Sequence, residues 1–278
     1  MVNFTEKITQ TFHTLSDAQK KVAHYMLENT QEIVVHTAQK VAEASNVSEA
    51  TVHRLSKALG YESFFEMKQD IHQFVKNDHR AVNNFITKTA MKQESWLEEH
   101  FLQEADNIIQ TSQGIQKDRI HLAARYFLDA DHIWVAGWRM GISVTSYMQF
   151  VLKYMLGKSQ MIPQGEAAEY VTYLKKGDVL FVTSLPRYCQ KTLTIAKIAK
   201  EKEVQIIAIT DSQIAPICEY ADIVFLVKSK SKSFLDSYTS AVSVCNAIVN
   251  EIAYIGKDDV MDNIKEMETK FEIFHDRH

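Results

Sequence analysis

Two groups of residues in this chain have the types and spacing to do chemistry. The first lies in Thr37 to Gly60, TAQKVAEASNVSEATVHRLSKALG. Ser48, Glu49, Ala50, Thr51, His53, Arg54 and Lys57 would form the polar edge of one short helix, with Thr37 and Lys40 at the start of the helix before it. Such an edge can touch bases in a DNA major groove through its first turns and hold phosphates with what flanks them. Arg54 suits a bidentate contact to guanine or a phosphate, and Lys57 suits a phosphate. The second group occupies two turns, Gly137-Trp138-Arg139-Met140-Gly141-Ile142-Ser143 and Ser184-Leu185-Pro186-Arg187-Tyr188-Cys189-Gln190-Lys191-Thr192. Each follows a short apolar run and precedes a helical segment. Backbone N–H groups at a helix start, hydroxyl donors and guanidinium forks are the donors that bind an anion.

The first group needs two helices held close. Ala42 is small enough for their approach, and Asn46 tolerates the left-handed backbone of the turn. Val47 plugs that turn, and Ser48 is expected to cap the second helix by accepting from its free N–H groups. Val52, Leu55 and Leu59 recur at i, i+3 and i+7 and should face inward. Ala50, His53, Arg54 and Lys57 then face outward, with Glu49 and Thr51 exposed in the first turn and Gly60 as the stop. A plain amphipathic hairpin would show much the same periodicity.

The second group needs a sheet. Residues 132–136, 179–183, 205–209 and 223–227 are short, continuously apolar and rich in β-branched side chains, as in strands buried on both faces. Helical segments at 142–156, 166–174, 190–202 and 237–254 alternate with them, which predicts βαβ units and a parallel, doubly wound sheet. Ligands in such sheets sit beyond the carboxyl ends of the strands. Residues 95–130 should be helical, with Trp96, Phe101, Ile108 and Ile109 on one apolar face. The chain thus reads as an all-α helix-turn-helix domain over 1–76, a linker over 77–94, an α/β domain over 95–257 and an amphipathic helix over 258–278. In that last helix Val260, Ile264, Met267, Phe271 and Phe274 form a stripe fit for a subunit contact or for docking onto the domain.

Weaker candidates surround the turns. Ser237 could close the pocket from the side or merely cap the last long helix. Glu166 and Glu169 could reach a ligand, but an exposed face suits them better, and Trp138 could stack on a sugar or pack. His13, His24, His36, His53 and His72 have no metal-spaced Cys partner. The three cysteines (Cys189, Cys218, Cys245) lack any C-x-x-C spacing, which speaks against a disulfide framework or structural zinc and fits a reducing cytoplasm. We expect no metal and no cofactor.

Composition sets the frame: 278 residues, 46% hydrophobic and 24% charged, suit about two globular domains. A net charge of −4 excludes a uniformly basic coat, and residues 1–76 hold 8 Lys/Arg against 9 Asp/Glu. No apolar run reaches the ~18 residues of a membrane helix.

The stretch from Leu15-Ser16-Asp17-Ala18-Gln19-Lys20-Lys21-Val22-Ala23 through Val47–Leu55 to Leu59-Gly60-Tyr61-Glu62-Ser63-Phe64 closely resembles the N-terminal domain of RpiR-type bacterial transcription regulators. In that family a winged-helix-like domain precedes a sugar isomerase (SIS) domain. The resemblance covers nearly the whole chain and implies a DNA-binding regulator whose SIS-like half senses a small anionic metabolite such as a sugar phosphate. It would act as a homodimer or homotetramer on a palindromic operator, with no membrane partner. SIS domains carry a Gly-x-Gly-x-Ser turn and a Ser-x-Ser-Gly-x-Ser/Thr loop. Here Arg139 stands where the second Gly is usual, and the turn serine falls on Gly141 or, shifted, on Ser143. Ser184 matches the first loop serine, while Pro186, Arg187, Tyr188 and Cys189 replace the rest. The competing reading is a phosphosugar isomerase or lyase with an accessory domain, which needs a positioned base. A third is a helical adaptor joined to a metabolite-binding domain.

Overall fold

The computed structural model describes residues 4–76 and 94–274. Packing divides the chain into two compact units, one built chiefly from residues up to Glu99 and one chiefly from those after it. The expected linker lies, apart from its last residue, outside the described residues, as do residues 275–278 of the C-terminal helix.

The first unit is helical: α1 (Phe4–Thr11), α2 (Asp17–Glu28), α3 (Thr30–Ile33), α4 (Ala38–Ala44), α5 (Glu49–Ala58) and α6 (Phe64–Lys76). Ser16 and Gln19 start α2 with a capping box, each side chain accepting from the other's backbone N–H. Helix α2 packs on α4 and α5, and α6 on α1, α3 and α5. Ile8, Val22, Met26, Val41, Val52, Leu55, Met67 and Ile71 are fully buried in the core so formed. Residues 4–76 contain no strand, so the winged-helix-like expectation finds no wing among them.

The second unit is layered around a five-stranded sheet of β1 (Ile133–Ala136), β2 (Ser159–Met161), β3 (Val179–Thr183), β4 (Gln205–Thr210) and β5 (Ile223–Leu226), in the order β2-β1-β3-β4-β5. Every pairing is parallel; Val135 stands opposite Phe181, and Phe181 opposite Ile207. The inner strands β1 and β3 are buried throughout, while edge strand β5 alternates, as one-sided cover requires. Strand β2 had no apolar signature because an edge strand of three residues needs only the ladder offered by β1. Helices α9 (Ile142–Leu156), α10 (Ala167–Tyr173) and α11 (Gln190–Glu201) occupy the expected segments.

One expectation about the helices needs revision, and two gain detail. The segment 95–130 is two helices, α7 (Trp96–Gln113) and α8 (Lys117–Asp129), separated at Gly114. The predicted apolar face of α7 is not its inner face: Trp96, Phe101 and Ile109 are exposed, and Ile108 is half-buried. What α7 buries is polar. Asn107 Nδ2 donates to the Lys230 carbonyl at 2.6 Å, and Thr111 Oγ1 accepts from the Lys228 N–H at 2.9 Å. The loop after β5 has backbone groups to satisfy, and that need outweighs apolar cover on this face. Helix α12 runs Thr239–Phe274 with a break at Lys257 (φ 24°, ψ −97°), between the expected segments 237–254 and 258–278. Its C-terminal stripe docks onto its own unit as far as Phe271. Val260 is buried, the Phe271 ring stacks on Tyr154 with centroids 6.1 Å apart, and the Tyr154 hydroxyl donates to Glu268. Phe274 is exposed.

Candidate DNA-reading surface and anion pocket

In the first unit, α4 and α5 form a helix-turn-helix. Ala42 is buried where the helices meet, and its carbonyl accepts from the Val47 N–H at 2.9 Å. Asn46 holds the turn at φ 53°, and Gly60 ends α5 at φ +81° with open space around it, so its backbone angle alone favours glycine there. Val52, Leu55 and Leu59 are buried as expected. Ser48, Glu49, Ala50, His53, Arg54 and Lys57 form an exposed edge on α5, with Thr37 and Lys40 exposed on α4. Thr37 caps α4, its hydroxyl oxygen accepting from the Lys40 N–H at 3.2 Å, which leaves the hydroxyl proton for another acceptor.

Two assignments change here. Ser48 occupies the N-cap position but does not cap with its side chain; its hydroxyl bonds the Thr51 hydroxyl at 2.9 Å. Thr51 is not exposed. It is 4% accessible, and its Oγ1 also accepts from the Arg54 guanidinium at 3.1 Å. Thr51 therefore steadies Ser48 and Arg54 and presents no edge of its own. Its position one residue before Val52, on the shoulder of the apolar stripe, explains its burial. His53 Nε2 is 3.6 Å from Glu49 Oε1, so this surface mixes both signs of charge.

In the second unit, strand order reverses between β1 and β3, and the two arginine-bearing turns follow those two strands. This is the topological switch point where open parallel sheets bind ligands. The turns are pressed together. A Cβ on Gly137 would meet Thr183 Oγ1 at 2.3 Å and Thr145 Cγ2 at 2.7 Å; one on Gly141 would meet Thr183 Oγ1 at 2.6 Å. Thr183 Oγ1 donates to the Gly141 carbonyl at 3.2 Å, and buried Thr145 donates to the same carbonyl at 3.1 Å. Both glycines are thus required by close approach, and the two threonines that require them were not among the predicted site residues. Only their tertiary neighbours reveal that role.

Buried hydroxyls lie at both ends of the β3–α11 connection. Ser184 Oγ and Thr192 Oγ1 are buried without a hydrogen-bond partner, and Thr192 stands in the first turn of α11, whose N-cap residue Cys189 makes no side-chain cap. Ser240, at the start of α12, also has a buried and unpartnered Oγ; its place in an apolar run concealed it. Buried hydroxyls of this kind are unusual in a finished core and suit a site that receives acceptors. Tyr188 is half-buried and donates to Asp211 Oδ1 at 3.1 Å. Arg139 and Arg187 are exposed, at φ 56° and φ 78°.

The remaining candidates separate. Trp138 is buried and packs. Ser143 is exposed, and its hydroxyl donates to the Met140 carbonyl at 2.8 Å. The Ser237 hydroxyl donates to the Glu104 carboxylate on α7, which fixes the loop before α12. Glu166 and Glu169 are exposed. Burial pushes the Cys218 thiol up to about 11 and the Cys245 thiol up to about 12, so both stay protonated at neutral pH. Among the described residues, no group of three His, Cys, Asp or Glu is set to hold a metal, and no helix is long and apolar enough to cross a membrane.

A helix-turn-helix in one unit and a parallel sheet with a candidate ligand site in the other define a class, and comparison with known proteins identifies it. Residues 2–78 match the helix-turn-helix domain of the rpiR family, and residues 126–251 match the SIS domain. The chain belongs to the RpiR-type transcription regulators. The HTH-type transcriptional regulator RpiR of Escherichia coli K12 is 21% identical over 228 residues, 82% of this chain and 77% of that protein. Two solved structures share the fold. The sugar isomerase domain of an RpiR transcription factor from Sphaerobacter thermophilus has a TM-score of 0.61 at 23% identity, over 63% of this chain and 99% of its own. The Vibrio vulnificus NanR protein, complexed with ManNAc-6P, has a TM-score of 0.61 at 17% identity, over 98% of this chain and 99% of its own.

Proposed function

We propose that this regulator binds a palindromic operator through α5 and that a small anionic metabolite, a phosphosugar, binds at the β1–β3 switch point and controls that binding. The observation that carries the reading is the pair of buried, unpartnered hydroxyls at the two ends of the β3–α11 connection, Ser184 just after the strand and Thr192 in the first turn of the helix. A helix N-terminus favours negative charge, and neutral donors there suit phosphate oxygens. The ManNAc-6P complex of NanR supports the same ligand class.

On the DNA side, Ser48, Glu49, Ala50, His53 and Arg54 are the base-facing residues, and Thr37, Lys40 and Lys57 hold phosphates. Thr51 acts through Ser48 and Arg54. Two-fold operators call for at least a dimer, and ligand binding would change how two copies present α5. The working division is residues 1–76 for DNA, 95–257 for ligand and 258–278 as a helical extension. We read the protein as a cytoplasmic regulator without catalytic activity.

The test is fluorescence anisotropy on duplex fragments upstream of its own operon, at several salt concentrations, with and without sugar phosphates. We expect salt-sensitive, fragment-selective binding that a sugar phosphate shifts. Arg54→Ala should weaken that binding by about 1–3 kcal/mol if Arg54 reads a base, with the fold intact by circular dichroism. Aldose–ketose turnover without DNA binding would replace this reading with an isomerase.

A further inference from the structure

Helix α7 turns its polar side inward. Asn107 and Thr111 are buried against the loop after β5, and the Glu104 carboxylate accepts from Ser237. Its large apolar side chains face solvent instead: Leu97, Phe101, Leu102 and Ile109 are each more than half exposed, and Ala105 is exposed between them. With half-buried Ile108 these positions recur at three- and four-residue steps and line one side of the helix. A soluble chain rarely leaves such a stripe bare. The stripe at the end of α12, the other candidate for a subunit contact, is docked on its own unit through Val260 and Phe271. Exposed Phe150 on α9 likewise already stacks on Tyr154, with centroids 6.2 Å apart.

The order of residues in the α7 stripe fits it to a copy of itself. About Ala105 it is nearly symmetric: Phe101 and Ile109 lie four residues to either side, Leu102 and Ile108 three. Let two such helices cross antiparallel on a two-fold axis at Ala105. Phe101 then meets the partner's Ile109, and Leu102 meets the partner's Ile108, as a two-fold interface requires. The small residue on the axis lets the two backbones approach.

Charge selects the direction. Helix α7 carries Glu98, Glu99, Glu104 and Asp106 and no Lys or Arg. Glu99 pairs with Lys232, Glu104 accepts from Ser237 and Asp106 accepts from Gln110, which leaves Glu98 exposed beside the stripe. A parallel pair sets Glu98 against its own copy. An antiparallel pair sets it against the partner's Ser112 and opposes the two helix dipoles, which is favourable. A standard interface takes about 800 Å² from each partner, apolar at its centre and polar at its rim. With 18 residues α7 is about 27 Å long, enough for its stripe to form that centre.

We propose that a second copy of this chain covers α7, pairing helix to helix, antiparallel, about Ala105. The pairing supplies the dimer that the operator reading calls for and rests on that reading for its use, while its test needs no DNA.

The experiment is sedimentation equilibrium of the full chain, with a mass of twice 31.9 kDa expected. Ile109→Glu alters an exposed side chain, so the circular dichroism should stay the same while the dimer dissociation constant rises at least about thirtyfold, the size of a hot-spot loss. Ala105→Cys should form a disulfide between copies when diamide is the oxidant, because two copies of this position meet on the axis. Gln110→Cys, on the far side of the helix, should not, and both are judged against the unsubstituted chain. A monomer at every concentration reached overturns the inference. So does a dimer that Ile109→Glu leaves equally tight, whose contact is then elsewhere. If Ile109→Glu fails to fold, the cross-link decides: its absence in Ala105→Cys, or equal cross-linking through Gln110→Cys, overturns the pairing about Ala105. Dimers that respond as expected but bind no duplex overturn the operator reading and leave this inference standing.

Discussion

The turn between α4 and α5 and the turns after β1 and β3 each contain a left-handed residue, and they fill that position differently. In the helix-turn-helix it is Asn46, and Gly60 does the same at the end of α5. Both residue types adopt this backbone at little cost, so the DNA-reading unit is assembled from residues suited to their places. At the ligand end of the sheet the position falls to Arg139 and Arg187. The two glycines there, Gly137 and Gly141, are used instead for close approach to Thr183. The candidate DNA-reading surface thus rests on locally relaxed turns, whereas the candidate ligand site rests on turns held by tertiary contact. Turn substitutions should therefore be tolerated in the first unit and resisted at the switch point of the second.

The largest effect should come from the shared apolar support of the first unit. Leu55 is fully buried beneath the DNA-reading edge. Leu55→Ala should destabilise that unit by about 2–5 kcal/mol through lost transfer energy and the cavity left behind. Urea unfolding would show it, and DNA affinity should fall with the folded fraction. A stable variant would mean that α5 is not held by this core.

Gly137→Ala tests the other side of the comparison. The added methyl meets Thr183 Oγ1 and Thr145 Cγ2 well inside contact distance, so overpacking should cost about 1–3 kcal/mol in the second unit. Ligand binding should weaken as the turn is pushed from β3. Unchanged stability in urea would show that the β1 turn is loose and would undo the contrast with Asn46.

Acid should act in the same unit, at the opposite end of β1. Burial holds the His132 imidazole below its ordinary value of 6.5, helped by Lys153 and Lys175 and opposed by Asp178. Its Nε2 is buried without a partner, and its ring packs on Trp134, the second residue of β1. Above about 6.5 the ring is neutral folded or unfolded and contributes no slope. As pH falls through that value the unfolded chain takes up the proton first, so stability declines until the folded ring also protonates. Urea midpoints at about pH 7.5 and about pH 5.5 should therefore differ, and His132→Asn should narrow the difference.

Legibility in the sequence followed the same divide. The α5 stripe, the Asn46 turn, the Gly60 stop and the alternation of strands with helices are local patterns, and the structure carries them out. The errors arose where a particular hydrogen-bond partner, near or distant, outweighed the usual preference of a residue type. Ser48 has the residue type of a cap, but Thr51 takes its hydroxyl. The apolar residues of α7 suggested its inner face, but the backbone after β5 took Asn107 and Thr111 instead. Strand β2 has no pattern because β1 supplies its ladder. Arg139 and Arg187 were visible as departures from SIS-type turns, while their left-handed backbone and the role of Thr183 needed three dimensions.

The smallest expected effect is the sharpest test of the contrast. Asn46→Gly keeps the backbone at φ 53° available and removes only a side chain that is exposed at the turn. Relief of a weakly disfavoured conformation is offset by the greater freedom of glycine in the unfolded chain, so stability should change by only a few tenths of a kcal/mol. For Arg139→Gly the same unfolded-state loss applies, yet the relief is larger, because arginine has none of asparagine's short local hydrogen bonding in this region. The sign of the melting-temperature difference between these two variants therefore separates a turn built for folding from one kept for a ligand. If Asn46→Gly stabilises the chain as much as Arg139→Gly does, both turns are equally strained and the contrast fails.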